Sequence, residues 1–150
     1  MYKVMLVDDD FPVIEMLSEM IEWEQLGVTL HSTHENGRSA FEKASEEMPD
    51  ILITDIGMPR MNGIELTKQL KEINPNLQVV ILSCHTEFKF AKQALNLRVQ
   101  DYLVKDMLDS EEFCQVIKKI VENLEKQKKK DLKQIEFQQM VNGFGWNYTY

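Results

Sequence analysis

The sequence predicts an α/β protein in which a parallel sheet of five strands is covered by helices on both faces. Two observations carry that prediction. Short apolar runs at Lys3–Val7, Ile51–Thr54, Val79–Leu82 and Gln100–Val104, with a weaker one at Val28–Thr33, each lead into a stretch of helical period. Three of them are apolar on both faces, as central strands of a parallel sheet must be. Five strand–helix pairs fit into about 125 residues without an internal repeat, a spacing that means parallel strands with crossover helices.

The elements follow in order. After the first strand come Asp8, Asp9 and Asp10. From Pro12 the spacing Val13, Met16, Leu17, Met20, Ile21 is helical, with proline in the first turn where its missing N–H matters least, and Gly27 closes the helix. Asn36-Gly37 marks a turn before a short helix around Ala40, Phe41 and Ala44, which stops before Pro49. The third strand runs into Asp55, and Met58-Pro59 and Asn62-Gly63 break the chain before a helix from Ile64 to Ile73 that buries Leu66 and Leu70. Asn74-Pro75-Asn76 is a loop, the fourth strand ends in Ser83, Phe88–Leu97 reads as a helix, and the fifth strand ends in Lys105. A last helix begins at Asp109 and carries Phe113, Ile117, Ile120, Val121 and Leu124 inward. Right-handed crossovers leave few topologies, and the flavodoxin-like order 2-1-3-4-5 suits five strands best. It sets strands 1 and 3 side by side, bringing Asp8 and Asp9 next to Asp55.

The apolar stripe ends at Leu124, so residues 1–124 read as one domain. Residues 125–150 read as a charged extension: a solvated run from Glu125 to Asp131, a frayed helix or linker without sustained heptads, and an aromatic tail ending NGFGWNYTY. The net charge of −8 and pI of about 4.9 argue against nucleic-acid contact by this chain, because phosphate binding needs a basic face. Cys84 and Cys114 have no metal or disulfide spacing and suit a reducing compartment. One lysine and a short apolar run before three acids do not make a signal peptide, and no run approaches a membrane span, so a cytoplasmic protein is expected.

Three carboxylates at one crevice stay ionised together only around a cation, and an oxygen-only set with room for phosphate suits Mg²⁺. Ser83 and Lys105 face them with a hydroxyl and an ammonium, which completes a cradle for a phosphoryl group with Asp55 placed to attack phosphorus. Asp10 reads as a helix-start acid favoured by the dipole, Trp23 as packing at the end of the first helix, Cys84 and His85 as loop residues, and the nine methionines as core filler.

VDDD, TDIGMPRMNG, ILS and DYLVKD, in this order and spacing, resemble the receiver domain of two-component response regulators over residues 2–124. The wording IEWEQLGV and HTEFKFAKQAL resembles the subgroup with an AraC-type helix-turn-helix output domain, and no such domain is expected within residues 125–150. The resemblance implies that Asp55 accepts a phosphoryl group from a sensor histidine kinase, and that the domain catalyses its own phosphorylation and dephosphorylation. It implies Mg²⁺ held by Asp8, Asp9, Asp55 and the Gly57 carbonyl, with Ser83 as switch hydroxyl, Lys105 as phosphoryl partner and Tyr102 as switch aromatic. It also implies a homodimer through the face from strand 4 to helix 5. Asp106 departs from the family's proline, so a trans bond and a competing pair with Lys105 are expected there. The rival readings are a phosphorylation-independent pseudo-receiver and a haloacid-dehalogenase-like phosphohydrolase using Asp8 and Asp10. Pro12 argues against the latter, standing where that family carries a small hydroxyl residue.

Overall fold

The structure is a computed structural model that describes residues 1–84 and 90–143. Strands β1 (Tyr2–Val7), β2 (Val28–His34), β3 (Ile51–Asp55), β4 (Gln78–Ser83) and β5 (Asp101–Val104) form one all-parallel sheet in the order β2-β1-β3-β4-β5. The helices are α1 (Phe11–Met20), α2 (Gly37–Glu46), α3 (Gly63–Ile73), α4 (Ala91–Asn96) and α5 (Ser110–Gly143).

The three central strands are sealed on both sides, which is why their sequences do not alternate. Val4, Leu6, Ile51, Ile53, Val80 and Leu82 point to the face covered by α1 and α5, where they meet Ile14, Leu17, Phe113, Ile117 and Ile120. Met5, Val7, Leu52, Val79 and Ile81 point to the other face, against Ala40, Ala44, Leu66, Leu70 and Ala94. Each fully buried aliphatic side chain contributes about 1.5–3 kcal/mol.

Two local readings need correction. The first helix ends at Met20 rather than at Gly27. A separate 3₁₀ turn, Trp23–Leu26, follows, and Gly27 closes that turn in the left-handed region at φ 82°. Trp23 sits in the core cluster with Ile14 and Leu17 of α1, and it also packs edge-on against Phe113 of α5, with ring centroids 5.7 Å apart. Both Asn-Gly pairs are helix starts rather than free turns: Asn36 Oδ1 accepts from Ser39 N–H and Asn62 Oδ1 from Glu65 N–H, and each glycine is the first helical residue.

Helix α5 continues without a break through the charged run to Gly143, and residues 125–140 are exposed. The start of the predicted helix at Phe88, His85 and the aromatic tail from Phe144 lie outside the described residues. None of the described helices is long and apolar enough to cross a membrane.

Candidate functional site

Register builds the site. Val7 pairs with Thr54, so Asp8, one residue beyond, stands level with Asp55 at the carboxyl edge of the sheet. Asp55 pairs with Leu82, and Ser83 with Val104, so Ser83 and Lys105 rise in steps beside the acids. Carboxylate oxygens of Asp8, Asp9 and Asp55 lie within 4.8 Å of one another. Asp8 is fully buried, Asp55 is 3% exposed, and Asp9 lies open to solvent.

Lys105 closes the group. Its Nζ lies 2.8 Å from Asp8 Oδ2 and 3.0 Å from Asp55 Oδ1, and it donates a hydrogen bond to Asp8 Oδ1 at 3.0 Å. Asp106 is exposed, and Lys105 forms its ion pairs with Asp8 and Asp55 rather than with Asp106. No cis peptide bond occurs among the described residues, so the bond before Asp106 is trans. Tyr102 Oη donates to Ser83 Oγ at 2.8 Å, and Ser83 Oγ donates to the Cys84 carbonyl at 3.0 Å. Gly57 N–H donates to Asp55 Oδ1 at 3.3 Å. Asp10 is exposed, and its backbone carbonyl accepts the first N–H groups of α1, so it serves as the helix start and stands outside the acid cluster.

The electrostatics show a site short of positive charge. Burial, offset only in part by Lys105 and the Asp10 N–H, and reinforced by the charge of Asp55, pushes the Asp8 carboxyl up to about 6. Such burial as Asp9 has, with its hydrogen bond to Asp55 and the charge there, raises it as well. Burial opposes the charge on Lys105, but hydrogen bonds to Asp8 and Asp55 outweigh it and raise the ammonium above its ordinary range. An isolated ion pair would lower its acid. Here one ammonium serves two buried carboxylates, so the lysine is stabilised while Asp8 stays strained. Asp8 Oδ2, although 2.8 Å from Lys105 Nζ, is buried and receives no directed hydrogen bond. Three carboxylates gathered around a single ammonium, with oxygen donors only, fit a small, hard dication.

Two contacts that sequence reading missed hold this edge together. A Cβ on Gly63 would lie 2.1 Å from the Asp55 carbonyl oxygen, so the first residue of α3 rests directly on the Asp55 peptide. The Thr54 hydroxyl, fully buried, donates to the same carbonyl at 2.9 Å. Gly63, the second glycine of TDIGMPRMNG, was the available signal, but it reads as turn chemistry until the packing is seen.

A parallel five-stranded sheet with carboxylates, a hydroxyl and an ammonium at its carboxyl edge defines a receiver-type domain. Residues 4–118 match the response regulator receiver domain family, and the chain belongs to it. It is 36% identical over 127 residues to an uncharacterized transcriptional regulatory protein, YesN, of Bacillus subtilis, covering 85% of this chain and 34% of that protein. It is 33% identical to the transcriptional regulatory protein HptR of Staphylococcus aureus over 70% of this chain and 41% of HptR. The chain thus spans well under half the length of these relatives. Among solved structures it is similar to the receiver domain of AraT, a response regulator from Geobacillus stearothermophilus. The TM-score is 0.80 at 32% identity, covering 85% of this chain and 98% of that one. A two-component transcriptional regulator AraC from Clostridium phytofermentans gives a TM-score of 0.76 at 25% identity, with 87% and 99% covered.

Proposed function

We propose that this receiver domain is switched by phosphorylation of Asp55. The observation that supports this most is the Lys105 ammonium held between Asp8 and Asp55, with Asp9 beside them: a carboxylate nucleophile already surrounded by the charges a phosphoryl group needs. A carboxylate oxygen of Asp55 attacks phosphorus, the bond from phosphorus to the imidazole nitrogen of a kinase phosphohistidine breaks, and an acyl phosphate forms. Asp8, Asp9, Asp55 and the Gly57 carbonyl would hold Mg²⁺, which supplies positive charge to the phosphoryl oxygens when bound. Lys105 turns from the Asp55 carboxylate to an outer phosphoryl oxygen. Ser83 turns its proton from the Cys84 carbonyl to another, and Tyr102, bonded to Ser83, carries the change outward. The same groups assist water in removing the phosphoryl group.

On this reading the domain works in the cytoplasm with a sensor histidine kinase as donor, and it dimerises through the face from β4 to α5. It regulates transcription through an output segment like those implied by the greater length of the transcriptional regulators it resembles. The test is the intact mass of the chain after incubation with acetyl phosphate and Mg²⁺, beside Asp55→Asn. One labile phosphoryl adduct on the wild type, absent from the variant and from protein in EDTA, is expected. A folded wild type that never gains the adduct would leave the pseudo-receiver reading in its place.

A further inference from the structure

The phosphorylation loop is held from a second side, by a glycine of α2 outside the acid cluster. A Cβ built on Gly37, the first residue of α2, would lie 2.8 Å from the Met61 carbonyl oxygen, 2.9 Å from Met61 Cβ and 3.0 Å from its Cγ. The φ of Gly37 is not in the left-handed region, so the residue is there for close approach and not for its backbone angle. The two meet at the wall of a cleft of about 720 Å³ lined also by Asn36, Pro59, Arg60 and Glu65.

The loop between Asp55 and α3 has little slack to absorb a push at Met61. Ile56 and Met58 are buried in the core, and Gly63 N–H donates to the Ile56 carbonyl at 3.1 Å. Met61 N–H closes a tight turn onto the Pro59 carbonyl at 2.8 Å, across an Arg60 already at φ 68°. Displacing Met61 moves either the Pro59–Arg60 side, toward Gly57, or the Asn62–Gly63 side, toward the Asp55 carbonyl. Retreat of α2 is opposed by Ala40 and Ala44, which are packed into the core.

We infer that Gly37 is a positioning residue for the phosphorylation site, setting the Asp55–Gly63 loop by backbone contact between α2 and Met61. The inference rests on the reading of Asp55, Gly57 and the neighbouring acids as the phosphoryl and metal site.

The test compares wild type, Gly37→Ala, Ala44→Gly and the double variant Gly37→Ala/Met61→Gly. Ala44→Gly removes a buried methyl from the same helix without pressing on the loop, so it matches loss of stability alone. Each protein is measured for urea midpoint, amide NMR shifts in EDTA, Mg²⁺ affinity by calorimetry, and acyl-phosphate yield. Gly37→Ala is expected to shift the Gly57 and Asp55 amides in the metal-free protein and to weaken Mg²⁺ by about tenfold, the scale of lost outer-shell support. Ala44→Gly should leave both unchanged, and Met61→Gly should restore part of the affinity by removing the two clashing side-chain atoms, while the Met61 carbonyl oxygen, the nearest of the three, still presses on the new methyl group. Wild-type affinity and unmoved Gly57 and Asp55 amides in Gly37→Ala would overturn the inference, as would an equal loss in Ala44→Gly. A wild type that itself takes up no phosphoryl group would instead overturn the reading beneath it.

Discussion

Asp8→Asn should make the metal-free protein more stable while removing its ability to use Mg²⁺. Asp8 is fully buried and its carboxyl is pushed up to about 6 from an ordinary 3.8. An acid held to a higher value in the fold than in the unfolded chain opposes folding wherever it must ionise. Here that opposition is absent below the ordinary value, grows as pH rises from about 4 to about 6, and is complete above. At 1.36 kcal/mol per tenfold the full penalty is about 3 kcal/mol. The figure already includes the attraction of Lys105, which the variant keeps directed at Asp55. Asparagine loses an acceptor for the Lys105 and Asp10 N–H groups, so a net gain of about 1–3 kcal/mol is expected, several degrees in Tm for a chain of this size. Urea titrations of both proteins in EDTA at pH 8 and pH 4.5 would show the gap, wide at the first and narrower at the second. Excess Mg²⁺ should reverse the order, because only the wild type gains the stabilisation that tight ligand binding brings. If Asp8→Asn is the less stable protein in EDTA at pH 8, then Asp8 and Lys105 form a structural pair, and the account of a strained, cation-seeking site is wrong.

Three other predictions follow from the same geometry. Lys105→Gln leaves Asp8 and Asp55 buried without their cation, and should cost about 3–5 kcal/mol in EDTA at pH 8, with Mg²⁺ recovering part of it in thermal melts. Gly63→Ala forces a methyl group to within 2.1 Å of the Asp55 carbonyl oxygen and should cost about 3 kcal/mol or more by urea unfolding; a loss below 1 kcal/mol would mean that α3 slides freely on β3. Glu47, bonded to Lys3 and His31, is held down at about 2, chiefly by the Lys3 hydrogen bond. Its contribution is therefore present above the ordinary carboxylate value and fades as pH falls toward 2. Relative to Glu47→Gln, the wild type should lose its advantage between pH 5 and pH 2.5 in urea midpoints, and an advantage that grows on acidification would contradict this.

The sheet and its carboxyl edge were legible because central parallel strands must be apolar on both faces. The residue at which each run stops is then marked by its polarity: Asp8, Asp55, Ser83 and Lys105 stand out as the first polar side chains after Val7, Thr54, Leu82 and Val104. Topology then brings together what sequence separates. Contacts made by the absence of a side chain were not legible. Gly63 and Gly37 follow asparagines and read as turns, yet each is a helix start pressed against backbone from another element. The separate 3₁₀ turn Trp23–Leu26 also escaped periodicity, because a turn of four residues carries no helical stripe. The extension of α5 was hidden for a different reason. Residues 125–140 are exposed, and Leu132 and Ile135 offer at most two turns of apolar stripe, too little to extend the helix by periodicity alone. Their Lys, Gln and Glu residues favour helix by propensity, aided by side-chain pairs such as Gln127 with Asp131 and Gln138 with Asn142.

The central claim is that Asp55, among four neighbouring polar side chains, is the atom-level acceptor. Borohydride reduction of the acetyl-phosphate-treated protein, followed by peptide mass mapping, converts an acyl phosphate to a primary alcohol at the residue that carried it. The account predicts homoserine at position 55 and at no other aspartate, only when Mg²⁺ was present. Homoserine at position 8 or 9, or phosphate that survives reduction on a hydroxyl such as Ser83, would contradict it.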